Sequence, residues 1–391
     1  MKARKNHGVL LFAVLFAMPV LIFWLHLIFF GQTEISETEN RTLIMMPTLT
    51  GQAFVTGAYQ DDLEDALGDQ TPQSEAIRSF VKDREAETQK TMQNLLFSVF
   101  PQMKDGYVRI ADGYYMYHGD EHRIVEKPMP PQKTELMESV GAGLKQLSVP
   151  TYLYFVENSR SQDLDRVTDA SEHYLQMVET LEPDDSDNFR FSDYDEYCAL
   201  FYETDHHWNA EGSYQGYRQI LRMLKPEDEP LEKGELCRTD VVFNGSYARF
   251  TKNLCATEKF TFYDYDVPKH AETLNGKRGT YGRMSAYKKG KVAEGELTNH
   301  YAACYGGDYG EIIYDFGTQG KGNLLMIASS YSNPINALIA SHFDRTYVID
   351  LRYYEEWAGQ AFDPVSYAAE HPVDRVLLLG DARLFASDEG E

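Results

Sequence analysis

Apolar positions along this chain fall into three patterns, and each predicts a different element. The longest run is GVLLFAVLFAMPVLIFWLHLIFF, Gly8 to Phe30, in which His26 is the one ionisable side chain. At about 1.5 Å per residue, a helix of that length spans a hydrocarbon core about 30 Å thick. Lys2, Arg4 and Lys5 precede it and Glu34, Glu37 and Glu39 follow it, a bias that keeps the N-terminus cytoplasmic and sends the rest of the chain outside. Phe29-Phe30-Gly31 is a poor small-residue cleavage site, so an uncleaved single-pass cell-membrane anchor is expected over residues 1–31 rather than a cleaved signal peptide.

The second pattern is helical. Over 73–99, Ile77, Phe80 and Val81 and then Met92, Leu95 and Leu96 flank a charged stretch, which predicts one long helix or two. Over 210–224, Tyr214, Tyr217, Ile220, Leu221 and Leu224 share one face, directly after a Thr-Asp-His-His-Trp-Asn segment. The third pattern is short compact apolar runs, which read as buried strands: 148–156 (SVPTYLYFV), 323–328 (NLLMIA), 345–351 (RTYVIDL) and 374–380 (DRVLLLG). The last three are separated by helical stretches at 333–343 and 362–371. Short helical crossovers between buried strands mean an α/β fold with a parallel sheet and right-handed connections.

Around this core, 107–117 (YVRIADGYYMY) reads as a hairpin turning at Asp112-Gly113. Residues 32–72 are a polar linker with a foothold, containing Glu39-Asn40-Arg41-Thr42-Leu43 before Pro47. Residues 73–391 form the main extracytoplasmic domain, in which 225–320 is an irregular insertion of strands and long loops. Composition changes little: 43% hydrophobic and 25% charged residues make the chain globular. Charge excludes more, because a net −24 leaves no phosphate-neutralising surface, so nucleic acid is not an expected partner. All four cysteines, Cys198, Cys237, Cys255 and Cys304, follow the anchor; Cys237 with Cys255 is the expected pair, closing a short loop, with buried free thiols as the alternative.

Reactive side chains in an open parallel sheet collect at the carboxyl ends of its strands. Ser329-Ser330-Tyr331-Ser332-Asn333-Pro334 holds such a place, with Asn333 as the expected N-cap of the next helix and Pro334 as its first residue. These serines could simply cap a helix; as a nucleophile one of them needs an imidazole to take its proton and a carboxylate to fix that imidazole. Asp205 and His207 could supply both, lying on one side of an extended segment, with Trp208 walling the site against water. An aromatic structural turn is the alternative there. Asp205, His206 and His207 could also face a metal, but without a further His cluster or an HExxH helix neither a metal nor another cofactor is expected. Phe243-Asn244-Gly245-Ser246-Tyr247 reads as a turn beside this site.

The anchor, the segments Glu39–Leu43 and Thr204–Trp208, the late strand-serine-helix around Ser330 and the Val348-Ile349-Asp350-Leu351-Arg352-Tyr353-Tyr354 run together resemble the DHHW family of bacterial proteins. That family is similar to the alginate O-acetylation proteins, whose domain is a circularly permuted SGNH-hydrolase fold. The resemblance implies Ser330 as nucleophile, His207 as base and Asp205 as its partner, in the permuted order Asp, His, Ser. It further implies an extracytoplasmic O-acetyltransferase or acetylesterase acting on cell-envelope or exopolysaccharide hydroxyls, fed by a membrane partner that exports acetyl groups. Asn158 is a position-based candidate for the oxyanion hole, and Gly245 or Gly307 could lend a backbone N–H. Arg352 and Tyr353 are candidates for sugar contact, or, with Asp350, for bracing a loop. Ser329 stands where the family carries an acidic residue; this departure motivates a second reading, a non-catalytic glycan-binding or envelope-assembly protein on the same fold.

Overall fold

The computed structural model describes residues 31–32, 35–36, 41–50, 58–70, 106–117, 123–129, 135–166, 171–251, 258–282, 284–290 and 298–385, with isolated helical positions between 17 and 25 and between 80 and 99. The chain divides into two compact units, one of residues 1–88 with 249–253 and one of 89–248 with 254–391. In the first, Ile35–Ser36 pairs antiparallel with Arg41–Thr42. The helix Ala58–Gln70 ends on a local clasp: Gln70 Nε2 donates to the Ile44 carbonyl and the Ile44 N–H donates to Asp69. The expected span at 8–30 and most of the expected helix at 73–99 lie outside the described residues; among those described, no helix is long and apolar enough to cross a membrane.

The second unit is built on an eight-stranded mixed sheet. Its strands, in chain order, are β1 (Thr151–Val156), β2 (Asp185–Phe189), β3 (Ala271–Leu274), β4 (Lys277–Gly279), β5 (Glu311–Asp315), β6 (Asn323–Ala328), β7 (Arg345–Ile349) and β8 (Arg375–Gly380). They lie in the order β4-β3-β5-β7-β6-β8-β1-β2. The five strands from β7 to β2 are parallel, and β5, β3 and β4 extend the sheet antiparallel.

Period-two alternation explains why the central strands read as continuous apolar runs. Leu324, Met326 and Ala328 on β6 and Leu377 and Leu379 on β8 face one layer, with Tyr217, Ile220 and Leu221 of the helix Ala210–Leu224. Leu325, Ile327, Val376 and Leu378 face the other, with Val140, Tyr174, Tyr354 and Tyr367 from four more helices. Both faces are covered, so beyond their first residues, Asn323 and Arg375, these strands carry only apolar side chains. β2, with sequence DSDNF, is an edge strand paired on one side only, and no apolar run announces it.

Three expectations change. A 3-10 turn, Ser330–Ser332, precedes the stretch 333–343, which holds only a short helix, Asn336–Ala340, with Ile335 rather than Asn333 at its N-cap position. The Asn333 side chain is drawn to the Gly306 carbonyl and Asp308 instead. The Cys237 thiol is unbridged. Its strand, Leu236–Phe243, pairs with Glu258–Tyr263 so that Cys237 faces Phe262. The chain enters that ladder at Glu258 opposite Phe243, six positions further along, about 20 Å at strand rise; Cys255 itself lies outside the described residues. The 107–117 hairpin forms as expected, with Gly113 at φ 73° in its turn, and a third strand, Ile124–Glu126, joins it.

The helix Ala210–Leu224 starts at Asn209, whose carboxamide accepts the N–H groups of Glu211 and Gly212. It lies against the fully buried Trp208, and a Cβ at Gly216 would sit 2.5 Å from that indole. Alanine ordinarily gains about 1 kcal/mol over glycine inside a helix. Here the sign inverts: Gly216→Ala overpacks the indole, and urea denaturation should show a loss of about 1–3 kcal/mol.

Candidate active site

Ser330, Asp350, Asp381 and Asn158 follow the carboxyl ends of the adjacent strands β6, β7, β8 and β1. The segment 201–209 comes to this edge as a tight loop: the Tyr202 N–H donates to the His207 carbonyl, the Asn209 N–H to the Leu200 carbonyl, and Phe201 bridges to Trp208. Asp205 and His207 therefore meet through a turn and not through extended chain, as the Asp205 carboxylate accepts the His207 backbone N–H at 3.0 Å.

The same carboxylate oxygen contacts His207 Nδ1 at 2.6 Å, and His207 Nε2 lies 2.8 Å from Ser330 Oγ. The other carboxylate oxygen accepts the Ser246 N–H at 2.7 Å. Gly245 makes that approach possible, since a Cβ there would lie 2.4 Å from both the Asp205 side chain and the Thr204 carbonyl. Its N–H is spent on Thr204 Oγ1 at 2.9 Å, so it lends nothing to an oxyanion. Ser330 is half-buried and reachable, whereas Ser329 is buried against Gly380 and its N–H joins the Leu379 carbonyl. The serine facing the imidazole is thus Ser330.

Two candidates take other roles. Asn158 is buried, with its amide donating to the Tyr331 hydroxyl at 2.8 Å and to Asp381 at 2.9 Å and its oxygen accepting the Arg160 N–H, so both donors are committed. Trp208 is fully buried, edge-on to Phe189 and Tyr331 at 5.4 and 5.6 Å, and so belongs to the core beneath the site. Gly212 and Gly216 clear the room it occupies. Arg352 and Tyr353 sit at the rim. Asp350 caps the helix Leu351–Ala358 and grips the Arg352 guanidinium with both oxygens, at 2.9 and 2.5 Å. Arg352 also lies 3.5 Å from Asp308, which accepts from Asn333, three residues after the serine, and its guanidinium sits over the Tyr353 ring. Gly307, next to Asp308, faces open space.

Burial alone would raise the Asp205 carboxyl, but the His207 and His206 imidazoles and the Ser246 N–H hold it well below the usual carboxylate range. Burial and the neighbouring His207 push His206 well below its ordinary value, which keeps it neutral, with Nδ1 2.7 Å from Ser246 Oγ. Ligand atoms of Asp205, His206 and His207 lie within 4.8 Å of one another. Both carboxylate oxygens and both Nδ1 atoms are already engaged in protein hydrogen bonds, which leaves a cation few free donors here.

Sequence reasoning anticipated the Phe243–Tyr247 turn beside the site but missed three residues of it. Tyr331 donates from its hydroxyl to the His206 carbonyl, which ties the serine turn to the histidine loop. Tyr301 touches both His207 and Ser330. Glu258 accepts the Thr204 N–H at 2.9 Å and the Thr204 hydroxyl at 3.0 Å, which fastens the residue before Asp205.

No protein-family model and no curated protein matches the chain. Solved structures do. Bacillus cereus PatB1 carrying a sulfonyl adduct is 18% identical, with a TM-score of 0.52 over 69% of this chain and 95% of that one. A DHHW family protein from Eubacterium siraeum is 16% identical, with a TM-score of 0.52 over 71% of this chain and 93% of that one. More remotely, the O-acetyltransferase domain of Pseudomonas putida AlgJ is 12% identical, with a TM-score of 0.34 over 65% and 83% of the two chains. The chain thus shares its α/β fold with a DHHW family protein, as the sequence resemblance implied.

Burial pushes the Glu258 carboxyl up to about 7, even though the Thr204 and Glu203 N–H groups and Arg123 favour its ionised form. An unfolded glutamate titrates near about 4.3, so the native state binds this proton more tightly. The resulting stabilisation is complete below about pH 4 and is lost as pH rises through about 7. The urea midpoint of wild type measured against that of Glu258→Gln should fall between pH 5 and pH 8, a comparison that cancels the opposite contribution of the buried His206 and His342; a difference that does not change with pH would remove Glu258 as its source.

Proposed function

We propose that this chain is an extracytoplasmic serine O-acetyltransferase or acetylesterase acting on hydroxyls of a cell-envelope or exopolysaccharide glycan. The observation that carries the reading is the unbroken hydrogen-bonded line from Asp205 through His207 to Ser330, with contacts of 2.6 and 2.8 Å. Ser330 Oγ attacks the acyl carbonyl as its proton passes to His207 Nε2. Asp205 holds Nδ1–H and balances the imidazolium. The backbone N–H of Ser330, the first residue of its 3-10 turn, is the donor this reading assigns to the developing oxyanion. His207 then returns the proton to the departing group, which leaves acyl-Ser330. In the second half, a sugar hydroxyl gives its proton to His207 and attacks the ester, Ser330 regains its proton, and the acylated sugar departs. Water in place of the sugar makes the same centre an esterase.

Further points support this reading. The reacting groups follow the order Asp205, His207, Ser330 along the chain, the order of a circularly permuted SGNH arrangement. PatB1, similar in fold, has been solved with a sulfonyl adduct. Arg352, Tyr353 and Asp308 at the rim offer hydroxyl-binding groups and a ring face to a sugar. The apolar run at 8–30 would anchor the domain outside the cell membrane, where a membrane protein exporting acetyl groups must supply the donor.

A sulfonyl fluoride tests the centre directly. Intact-mass analysis of wild type should show one sulfonyl group on Ser330, present in Ser329→Ala and absent in Ser330→Ala. Hydrolysis of an aryl acetate should fall about 10⁴-fold or more in Ser330→Ala and His207→Ala and about 10³- to 10⁴-fold in Asp205→Asn. Adding a de-acetylated glycan separates the two activities, because a transferase diverts acetyl to sugar and an esterase releases acetate at the same rate. A wild type that takes no label while binding glycan tightly would leave the non-catalytic binder as the reading.

A further inference from the structure

One buried side chain touches both reacting residues without taking part in proton or acyl transfer. Tyr301, in the helix His300–Tyr305, lies nearly parallel to the His207 imidazole, with ring centroids 3.9 Å apart and planes 13° apart. Its hydroxyl donates to the Ser330 carbonyl at 2.8 Å. We propose that Tyr301 is a positioning residue for the reaction described above: its ring face holds the His207 imidazole in line with Ser330 Oγ and steadies the imidazolium, while its hydroxyl anchors the backbone of the serine itself.

The physical basis is the charge distribution of an aromatic ring, whose negative face attracts a cation lying over it. The surroundings of His207 make that face count. Asp205 supplies the one negative charge in direct contact, at Nδ1. His206 lies with its ring centroid 3.8 Å from that of His207, but burial and His207 itself keep it neutral. Tyr331, from the serine turn, stands tilted at 5.0 Å, and its burial keeps its phenol protonated. Arg352 and Arg383 act on His206 and are paired with Asp350 and Glu126. Burial also holds the Tyr301 phenol well above its ordinary value, so the residue offers a neutral ring and a permanent donor. Tyr301 further packs on Tyr202 and Tyr305, and an aromatic that merely filled this cluster would satisfy the same burial. The experiment must therefore separate a ring face from a filled volume.

Three side chains at position 301 do so. Tyr301→Phe keeps the face and loses the hydroxyl, Tyr301→Leu keeps much of the volume and loses the face, and pentafluorophenylalanine keeps the shape of phenylalanine while reversing the sign of its face. The readout is the rate of sulfonylation of Ser330 against pH. In Tyr301→Phe the acid limb should stay in place while the plateau rate falls several-fold. In Tyr301→Leu and the fluorinated variant the acid limb should move to lower pH, because an imidazolium that is less stabilised forms only in more acid solution, with a loss of about 3- to 30-fold relative to Tyr301→Phe. The inference rests on the acyl-transfer reading, so the imidazole signal of His207 is followed by NMR in the same proteins. If wild type takes no label, that reading fails, while the NMR titration still shifts if Tyr301 acts on His207. An acid limb and an NMR titration unmoved in both variants would overturn the inference. Should Tyr301→Leu not fold, the near-isosteric fluorinated variant decides.

Discussion

A buried carboxylate is the constraint on which the rest of this site depends. Asp205 is 1% exposed, and burying a charge costs several kcal/mol unless donors meet both of its oxygens. Here it is answered by the His207 backbone N–H, His207 Nδ1 and the Ser246 N–H. Each bond fixes something else. The backbone bond curls the loop into a turn, the Nδ1 bond selects the tautomer that leaves Nε2 facing Ser330, and the Ser246 bond brings the Phe243–Tyr247 turn so close that only glycine fits at 245. A larger residue there would push on the carboxylate that orients His207.

The serine arrives from elsewhere in the chain, and its distance from His207 is set by rigid body rather than by loop flexibility. Tyr331, next to Ser330, reaches across to the His206 carbonyl and is itself held by Asn158 from the end of β1. Asn158 also grips Asp381 at the end of β8. The carboxyl ends of three neighbouring strands are thereby joined to the histidine loop through one buried network, with Trp208 wedged underneath. Buried polar groups that are fully satisfied rigidify their surroundings, which explains why an asparagine that looked available for an oxyanion is occupied in holding the frame.

What was legible in the sequence follows from how each element is buried. β6, β7 and β8 lie under helices on both faces, and the apolar runs that follow their first one or two residues announced them nearly to the residue. β2 pairs along one edge with the residues DSDNF, and β3 to β5 form the antiparallel extension from short mixed segments; backbone pairing selects these, and it leaves little trace in side-chain pattern. At the site, Ser330, His207 and Asp205 could be read because few residue types do that chemistry. Tyr301 could not: it is one of 27 tyrosines in the chain and lies in the irregular stretch 225–320, where neither period nor motif distinguishes it. Trp208 was misread because a large aromatic beside a reactive residue can wall a cleft or fill a core equally well. The two glycines at 212 and 216, one turn apart on the following helix, were the signal that the core had made room for it.

The same reasoning bears on why the motif holds two histidines. A second imidazole in contact with His207, if charged, would oppose any positive charge on His207 itself. His206 avoids this through burial and through Ser246, whose hydroxyl engages its Nδ1 while its N–H engages Asp205. One serine thus keeps the two histidines distinct. It orients His206 through the side chain, and its backbone N–H takes up the Asp205 oxygen opposite the one bonded to His207. The first histidine then serves as a neutral, close-packed spacer between the His207 imidazole and Tyr247, with ring centroids at 3.8 and 5.8 Å. It contributes shape where a charge would be harmful, and the Asp205 carboxylate is left as the direct partner for whatever positive charge His207 acquires.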